Sequence, residues 1–154
     1  MPGPAIREYR RGDVPAMYAL DIECFAPVFR FTERAMRRFA EAQGAITLLA
    51  EDDGQLAGFA IVQIEPSGDR AAGYVVTLDV APAWRGKGLG RRLMTEMESR
   101  AAAAGASVME LHVYEGNAAA LRLYESLGYA KAGVQPGFYA RGLNGVVYRK
   151  TIRE

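Results

Sequence analysis

The sequence predicts an α+β fold, a mixed sheet with helices on both faces, and three observations carry that prediction. Apolar periodicity alternates between strand-like and helix-like stretches in the order β-α-α-β-β-β-α-β-α-β-β. Two turn sequences, Asp52-Asp53-Gly54-Gln55 and Pro66-Ser67-Gly68-Asp69, join three consecutive strands. The 154 residues, 50% hydrophobic and 24% charged, have the composition of one folded domain spanning 1–154. A chain of this length buries ~70% of its unfolded surface and needs no disulfide or metal to hold a core.

Residues 5–10 read as a short strand. Asp13 is placed to cap a helix through about Phe25, with Pro15 in its first turn. Pro27 interrupts, and Thr32 caps a second helix from Glu33 to Gln43 that Gly44 ends. Ile46 to Glu51 and Leu56 to Ile64 form a hairpin, and Tyr74 to Val80 is a strand rich in β-branched residues. A glycine-rich turn leads into a long helix from Leu89 to Ala104, with Leu89, Leu93 and Met97 on one face. Val108 to Tyr114 is a strand, and Asn117 to Leu127 a helix closed by Gly128. Tyr129 to Gln135 and Val146 to Ile152 make a last strand pair around a Pro-Gly loop.

Composition excludes several classes of function. Nineteen Lys and Arg against 18 Asp and Glu leave a net charge of +1, so no overall field favours nucleic acid or a membrane surface. One Cys and one His rule out a disulfide framework and the common zinc sites, so no metal is expected. Any histidine-dependent mechanism must run through His112. The N-terminal residues lack the apolar core of a signal peptide and no run is long enough to span a membrane, which points to the cytoplasm.

The most informative stretch is Thr77 to Arg92, where a strand meets a turn with glycines at 86, 88 and 90 and a helix begins. Free backbone N–H groups at a helix start, among Arg85, Lys87 and Arg91, form a cradle for an anion such as phosphate. A Walker A loop fails here, because its first glycine and its Ser or Thr positions hold Ala81 and Gly88. The dinucleotide fingerprint fails too, because its third glycine position holds Arg91 or Leu93.

The pattern that does match is R-x-x-G-x-G, formed by Arg85, Gly88 and Gly90 after Leu78-Asp79-Val80. In this the chain resembles the GNAT acetyltransferases, whose sheet is mixed and mostly antiparallel and whose matching turn holds the pyrophosphate of acetyl-CoA. A second segment, Asn117-Ala118-Ala119-Ala120 through Leu123-Tyr124-Glu125-Ser126-Leu127-Gly128, resembles the N-terminal acetyltransferases of the ribosomal-protein-alanine type. The resemblance implies acetyl-CoA as donor, held by Arg85, Gly86, Lys87, Gly88, Leu89, Gly90 and Arg91. It further implies that the backbone at Leu78 and Val80 and the side chain of Asn117 meet the pantetheine arm, with Tyr124 beside the thioester sulfur.

Acetyl transfer needs a neutral amine, a stabilised oxyanion and a stabilised thiolate. Tyr124 can hydrogen-bond the sulfur. At His112 the ribosomal-protein type carries Glu, while Leu111-His112-Val113 resembles the NatE type, in which the His pairs with a strand-four Tyr across a water. The matching Tyr here is Tyr74, so the resemblance implies a Tyr74–His112 base; Glu23, Glu51 and Glu110 are the alternatives. An α-amine, pKa ~8, is partly neutral near pH 7 whereas a lysine amine at ~10.4 is not, which suits a mild base to a peptide N-terminus.

The resemblance also places the acceptor between two segments, Cys24 to Phe31 and Gln135 to Arg141, read as aromatic surface loops. Phe25, Pro27, Val28, Phe31, Phe138 and Tyr139 are the expected acceptor contacts. These segments carry Arg30 and Arg141 and no carboxylate, which favours a peptide N-terminus over a polyamine or aminoglycoside. A small-molecule amine remains the alternative acceptor, and a non-catalytic CoA sensor a third possibility.

Overall fold

A computed structural model describes residues 3–153. The strands are β1 (Ala5–Glu8), β2 (Ala45–Asp52), β3 (Gln55–Ser67), β4 (Arg70–Val80), β5 (Ala106–Tyr114), β6 (Ala130–Ala140) and β7 (Leu143–Thr151). The helices are α1 (Val14–Cys24), α2 (Glu33–Ala40), α3 (Leu89–Ala103) and α4 (Ala118–Ser126). The order is the expected one, and the strands form one sheet in the order β1-β2-β3-β4-β5-β7-β6. Every neighbouring pair is antiparallel except β4 with β5.

The period of 2 along the central strands splits their side chains between two cores. Leu48, Ala60 and Val62 pack with Leu93, Met97 and Tyr124 of α3 and α4. Leu49, Phe59 and Ile61 pack with Met17, Leu20 and Met36 of α1 and α2. Each of the Val, Leu, Ile, Met and Phe side chains, once buried, contributes about 1.5–3 kcal/mol, which makes the strand register strongly specified.

Local chemistry departs from expectation at three points. Asp13 does not cap α1, because a 3₁₀ turn over Arg11–Asp13 makes it helical already. Its carboxylate turns back to the Arg10 N–H at 2.7 Å and to the Arg7 guanidinium at 2.8 and 2.9 Å. Thr32 does cap α2, accepting from the Ala35 N–H at 3.0 Å, yet α2 stops at Ala40 rather than Gln43. The Thr47 hydroxyl donates to the Ala40 carbonyl at 3.1 Å, where a further helical turn would have bonded. The expected Pro-Gly loop is instead strand: β6 continues to Ala140, with register lost between Gln135 and Ala140. Asn144 pins that bulge by accepting from the Gly137 N–H at 2.9 Å while donating to Glu115 at 3.2 Å.

The feature that makes room for a site is the parallel pair. β4 and β5 pair only from Ala71 with Ala106 to Tyr74 with Glu110, whereas β5 follows β7 to Tyr114. Beyond Tyr74 the sheet splits, and β4 presents an open edge. The Ala81 N–H donates to the Ala57 carbonyl at 2.8 Å, and the register pairs Val80 with Gly58 and Leu78 with Ala60. Bonded pairs alternate along an antiparallel ladder, so Leu78 and Val80 turn their backbone groups away from β3 and into the split.

Candidate active site

Three adjoining cavities run through the split. The first, about 680 Å³, lies at the glycine turn, between the start of α3 and α4. Gly86 and Gly88 adopt φ of 72° and 84°, a left-handed backbone that other residues take at a cost. A Cβ at either would meet nothing within 4 Å, so both backbones face open space. Arg85, Arg91 and Arg122 line the same cavity. Arg85 also donates from Nε to the Val80 carbonyl at 3.0 Å, and Arg91 donates to Ser126 Oγ at 2.7 Å, tying α3 to α4. Open backbone at a helix start with three guanidinium groups fits a pyrophosphate.

Of the residues expected here, Lys87 is not brought in: it is exposed, with its ammonium 5.2 Å from the centre of the Trp84 ring. Arg122, on the outer face of α4, was missed, because only its place three-dimensionally opposite the turn makes it part of the wall. Asn117 caps α4 by accepting from the Ala120 N–H at 3.2 Å, which leaves its amide N–H groups for a ligand. Cys24 lines the wall but donates to the Val80 carbonyl at 3.3 Å, and burial pushes its thiol up to about 11, so it is not a nucleophile.

The second cavity, about 170 Å³, is the split itself. Phe25, Leu78, Asn117, Ala120 and Tyr124 belong to its wall and to that of the first. Tyr124 is buried and set edge-on to Tyr129, with ring centres 5.6 Å apart. Burial above all, and then the charge of Asp79, holds the Tyr124 hydroxyl well above its ordinary pKa, so it stays a donor.

The third cavity, about 570 Å³, opens on the α1–α2 side and shares Phe29, Phe31, Val76, His112 and Tyr139 with the second. Here the Tyr74 hydroxyl and His112 Nδ1 lie 2.8 Å apart, in direct contact rather than across a water. The last β4–β5 pair is Tyr74 with Glu110, and His112 stands two residues on, on the same face. Burial pushes the Tyr74 hydroxyl up to about 12. The other ring nitrogen, Nε2, lies 2.9 Å from Gln135 Oε1, and the ring stacks on Phe138 at 3.9 Å between centres.

Among the expected acceptor contacts, Phe25, Val28, Phe31, Phe138 and Tyr139 line the second or third cavity, while Pro27, which starts a 3₁₀ turn, lines neither. Phe29 was missed although it is central, with ring centres 5.0 Å from both Tyr114 and Tyr139. The mouth is not free of carboxylates: Glu65 of β3 lines it with Arg30 and Arg38, and Arg141 does not. The alternative bases stand elsewhere. Glu110 pairs with Arg149, Glu51 pairs with Arg7, and Glu23 is exposed on α1.

A family model, the acetyltransferase (GNAT) family, matches residues 14–129. The chain belongs to the GNAT acetyltransferases. It is 33% identical over 129 residues to the ribosomal protein bS18-alanine N-acetyltransferase of Escherichia coli, covering 82% of this chain and 81% of that one. The crystal structure of that enzyme superposes with a TM-score of 0.84 at 25% identity, over 97% and 94% of the two chains. Streptothricin acetyltransferase of Streptomyces lavendulae is 38% identical over 87 residues, 56% of this chain and 45% of that one. The Salmonella typhimurium protein yncA, solved with its cofactor acetyl-CoA, superposes with a TM-score of 0.82 at 25% identity over 99% and 96%. This GNAT chain is therefore an acyltransferase with acetyl-CoA as donor, and its fold is the α+β arrangement expected. No described helix is long and apolar enough to cross a membrane, and no described cluster of His, Cys, Asp and Glu could hold a metal.

Proposed function

We propose that this GNAT enzyme acetylates the free α-amino group of a peptide or protein N-terminus by direct attack. The observation that carries the reading is the Tyr74–His112 contact at 2.8 Å, set where the split meets the third cavity and with Tyr124 on the far side of the split. Acetyl-CoA supplies a thioester carbonyl for the amine to attack and a thiolate to leave. Gly86, Gly88, Arg85, Arg91 and Arg122 hold its phosphates, and Leu78, Val80 and Asn117 offer hydrogen bonds along its arm. The Tyr124 hydroxyl donates to the sulfur as negative charge builds there. The Tyr74 oxygen accepts the proton of the attacking amine while its own passes to His112 Nδ1, so the charge ends on the imidazole. A mild relay of this kind suits an α-amine at ~8 better than a lysine at ~10.4. The aromatic wall of the third cavity takes apolar side chains at the start of a peptide. The activity of the Escherichia coli relative supports the same acceptor class.

A second reading, a small-molecule amine as acceptor, draws on the streptothricin relative and on Glu65 at the mouth. Mass spectrometry after incubation with acetyl-CoA, on a panel of peptides with free N-termini and a panel of small amines, separates the two. Acetylated peptides are expected. Acetylation confined to small amines overturns the peptide reading, and no product with CoA still bound points to a sensor.

A further inference from the structure

His112 is the only histidine of the chain, and both of its ring nitrogens are engaged. A neutral imidazole carries one proton, and the relay needs the other nitrogen, Nδ1, free to accept. We propose that Gln135 is a positioning residue: its side-chain oxygen, 2.9 Å from Nε2, holds the proton there and so keeps Nδ1 as the acceptor that faces Tyr74. The inference rests on the reading of Tyr74 and His112 as the proton relay.

The geometry that brings Gln135 to the ring is specific to the last three strands. Gln135 stands opposite Gly145 of β7, and His112 opposite Val147. β7 therefore lies between β6 and β5, and a side chain from β6 must cross it to reach His112. Gly145 lets Phe138 pack directly over β7: a Cβ there would come within 3.1–3.2 Å of the Phe138 side chain. Phe138 thus lies flat on the imidazole, with an angle of 3° between the rings, and restrains its rotation. The bulge that Asn144 pins puts Phe138 and Gln135 on the ring together. An amide oxygen can only accept, so with that oxygen toward the ring the proton sits on Nε2, and after transfer the imidazolium keeps both bonds.

Other groups set the field around the ring. Tyr74 of β4 and Tyr139 of β6 line the same cavity as Glu65 of β3, Arg30 of the α1–α2 connection and Arg38 of α2. Glu110, two residues back on β5, is paired with Arg149 of β7. None of these is bonded to Nε2, so Gln135 is the side chain that holds the proton there, while the Tyr74 hydroxyl meets Nδ1.

The sole histidine makes a direct test possible. Whole protein labelled with ¹⁵N in the histidine ring is compared by long-range ¹H–¹⁵N NMR as wild type, Gln135→Leu and Gln135→Glu, at a pH where the ring is neutral, alongside kcat across pH. Wild type is expected to show an Nε2–H ring. Gln135→Leu, which deletes the acceptor, should gain the Nδ1–H form and lose about ten-fold in kcat, part of the 10²–10⁴ a placed base supplies. Gln135→Glu, an acceptor that cannot turn a donor to the ring, should keep the Nε2–H form and recover the rate, with its acid limb moved to higher pH because a carboxylate favours the imidazolium. Gln135 is exposed, so neither variant threatens the fold. A wild-type ring protonated on Nδ1, or a Gln135→Leu ring identical to wild type, overturns the proposal. Ring signals that change as expected with no change in rate uphold the positioning by Gln135 and overturn the relay itself.

Discussion

The glycine-turn cavity and the outer aromatic cavity are of comparable size, about 680 and about 570 Å³, and they meet through the same split, yet they are built in opposite ways. Two short runs of chain, Trp84 to Arg91 and Asn117 to Ser126, supply most of the first. The outer cavity takes a few side chains at a time from the α1–α2 connection, α2, β3, β4, β5 and β6. The difference follows from what each would hold. A phosphate is recognised by backbone N–H groups and cations, which a local turn at a helix start can present by itself. An acceptor side chain is recognised by shape and by one or two placed polar groups, and these must converge from separate elements.

The comparison predicts that damage to the turn is close to all-or-none. In Gly88→Glu the new side chain must adopt φ near 84°, and it puts bulk and negative charge where a pyrophosphate would lie. Calorimetry should find no acetyl-CoA binding in a variant whose circular dichroism is unchanged; full affinity would remove the turn from the site.

Changes on the outer side should act on rate instead. His112→Ala is expected to lose about 10²–10⁴ in kcat with a peptide acceptor and to lose the acid limb of the pH profile, because an imidazolium cannot accept a proton. Affinity for acetyl-CoA should hold. The comparison is made across roughly pH 5.5 to 9, where imidazole and α-amine both titrate. A variant with wild-type rate and profile would show that the base lies elsewhere.

Tyr124 stands where the two sides join, so it sharpens the comparison. Tyr124→Phe should lower kcat by about 10²-fold with acetyl-CoA affinity held, since a thiolate needs its hydrogen bond mainly as the C–S bond breaks. If the chemical step limits turnover and does not slow, Tyr124 is packing only.

The smallest effect concerns a group that ties the outer side to β4. Asp21 and Asp79 are both fully buried, and among the described residues Asp21 Oδ1 and Asp79 Oδ2 find no hydrogen-bond partner. Burial first, and then the proximity of Asp21, hold the Asp79 carboxyl well above its ordinary range, so it keeps its proton. Asp21 also accepts from the Phe31 N–H at 2.9 Å, which anchors the α1–α2 connection. A raised carboxyl pKa contributes stability while the proton is held and loses it as pH rises through the raised value. Asp79→Asn replaces the carboxyl proton with a permanent donor and keeps an acceptor for Thr77. It should gain about 1 kcal/mol at pH 8, or ~2–4 °C in Tm, and flatten the fall in stability above the carboxylate range. Thermal melts at pH 5 and pH 8 that change in parallel for both proteins would argue against a proton held on Asp79.

The two sides also differ in how far they could be read from the chain. The glycine turn, Asn117 and Tyr124 lie in contiguous motifs, and the structure gathers them around one cavity, with Lys87 the exception because its side chain is drawn to Trp84. On the outer side His112 stood out as the sole histidine, but its pairing with Tyr74 was reachable only through resemblance. Phe29 and Gln135 lay inside the segments read as the acceptor wall but nothing local set them apart from their neighbours, and Glu65 on β3 carried no signal. The second half of β6, after Gln135, was read as a loop because Pro136 and Gly137 are turn formers, and Asn144, on the partner strand, holds the Gly137 N–H of that bulge.

By itself the sequence determined the order of elements, the hairpin at Asp53-Gly54, the Thr32 cap and the glycine turn that opens α3. These depend on φ preferences, apolar periods and bonds within a few residues. The tertiary structure alone decided where β4 leaves β5, that Tyr74 touches His112 directly, that Gln135 reaches the same ring and that Asp21 meets Asp79. Each of these joins residues 23 to 58 positions apart, and such contacts are set by strand register and helix packing, in which a one-residue slip turns every side chain to the other face.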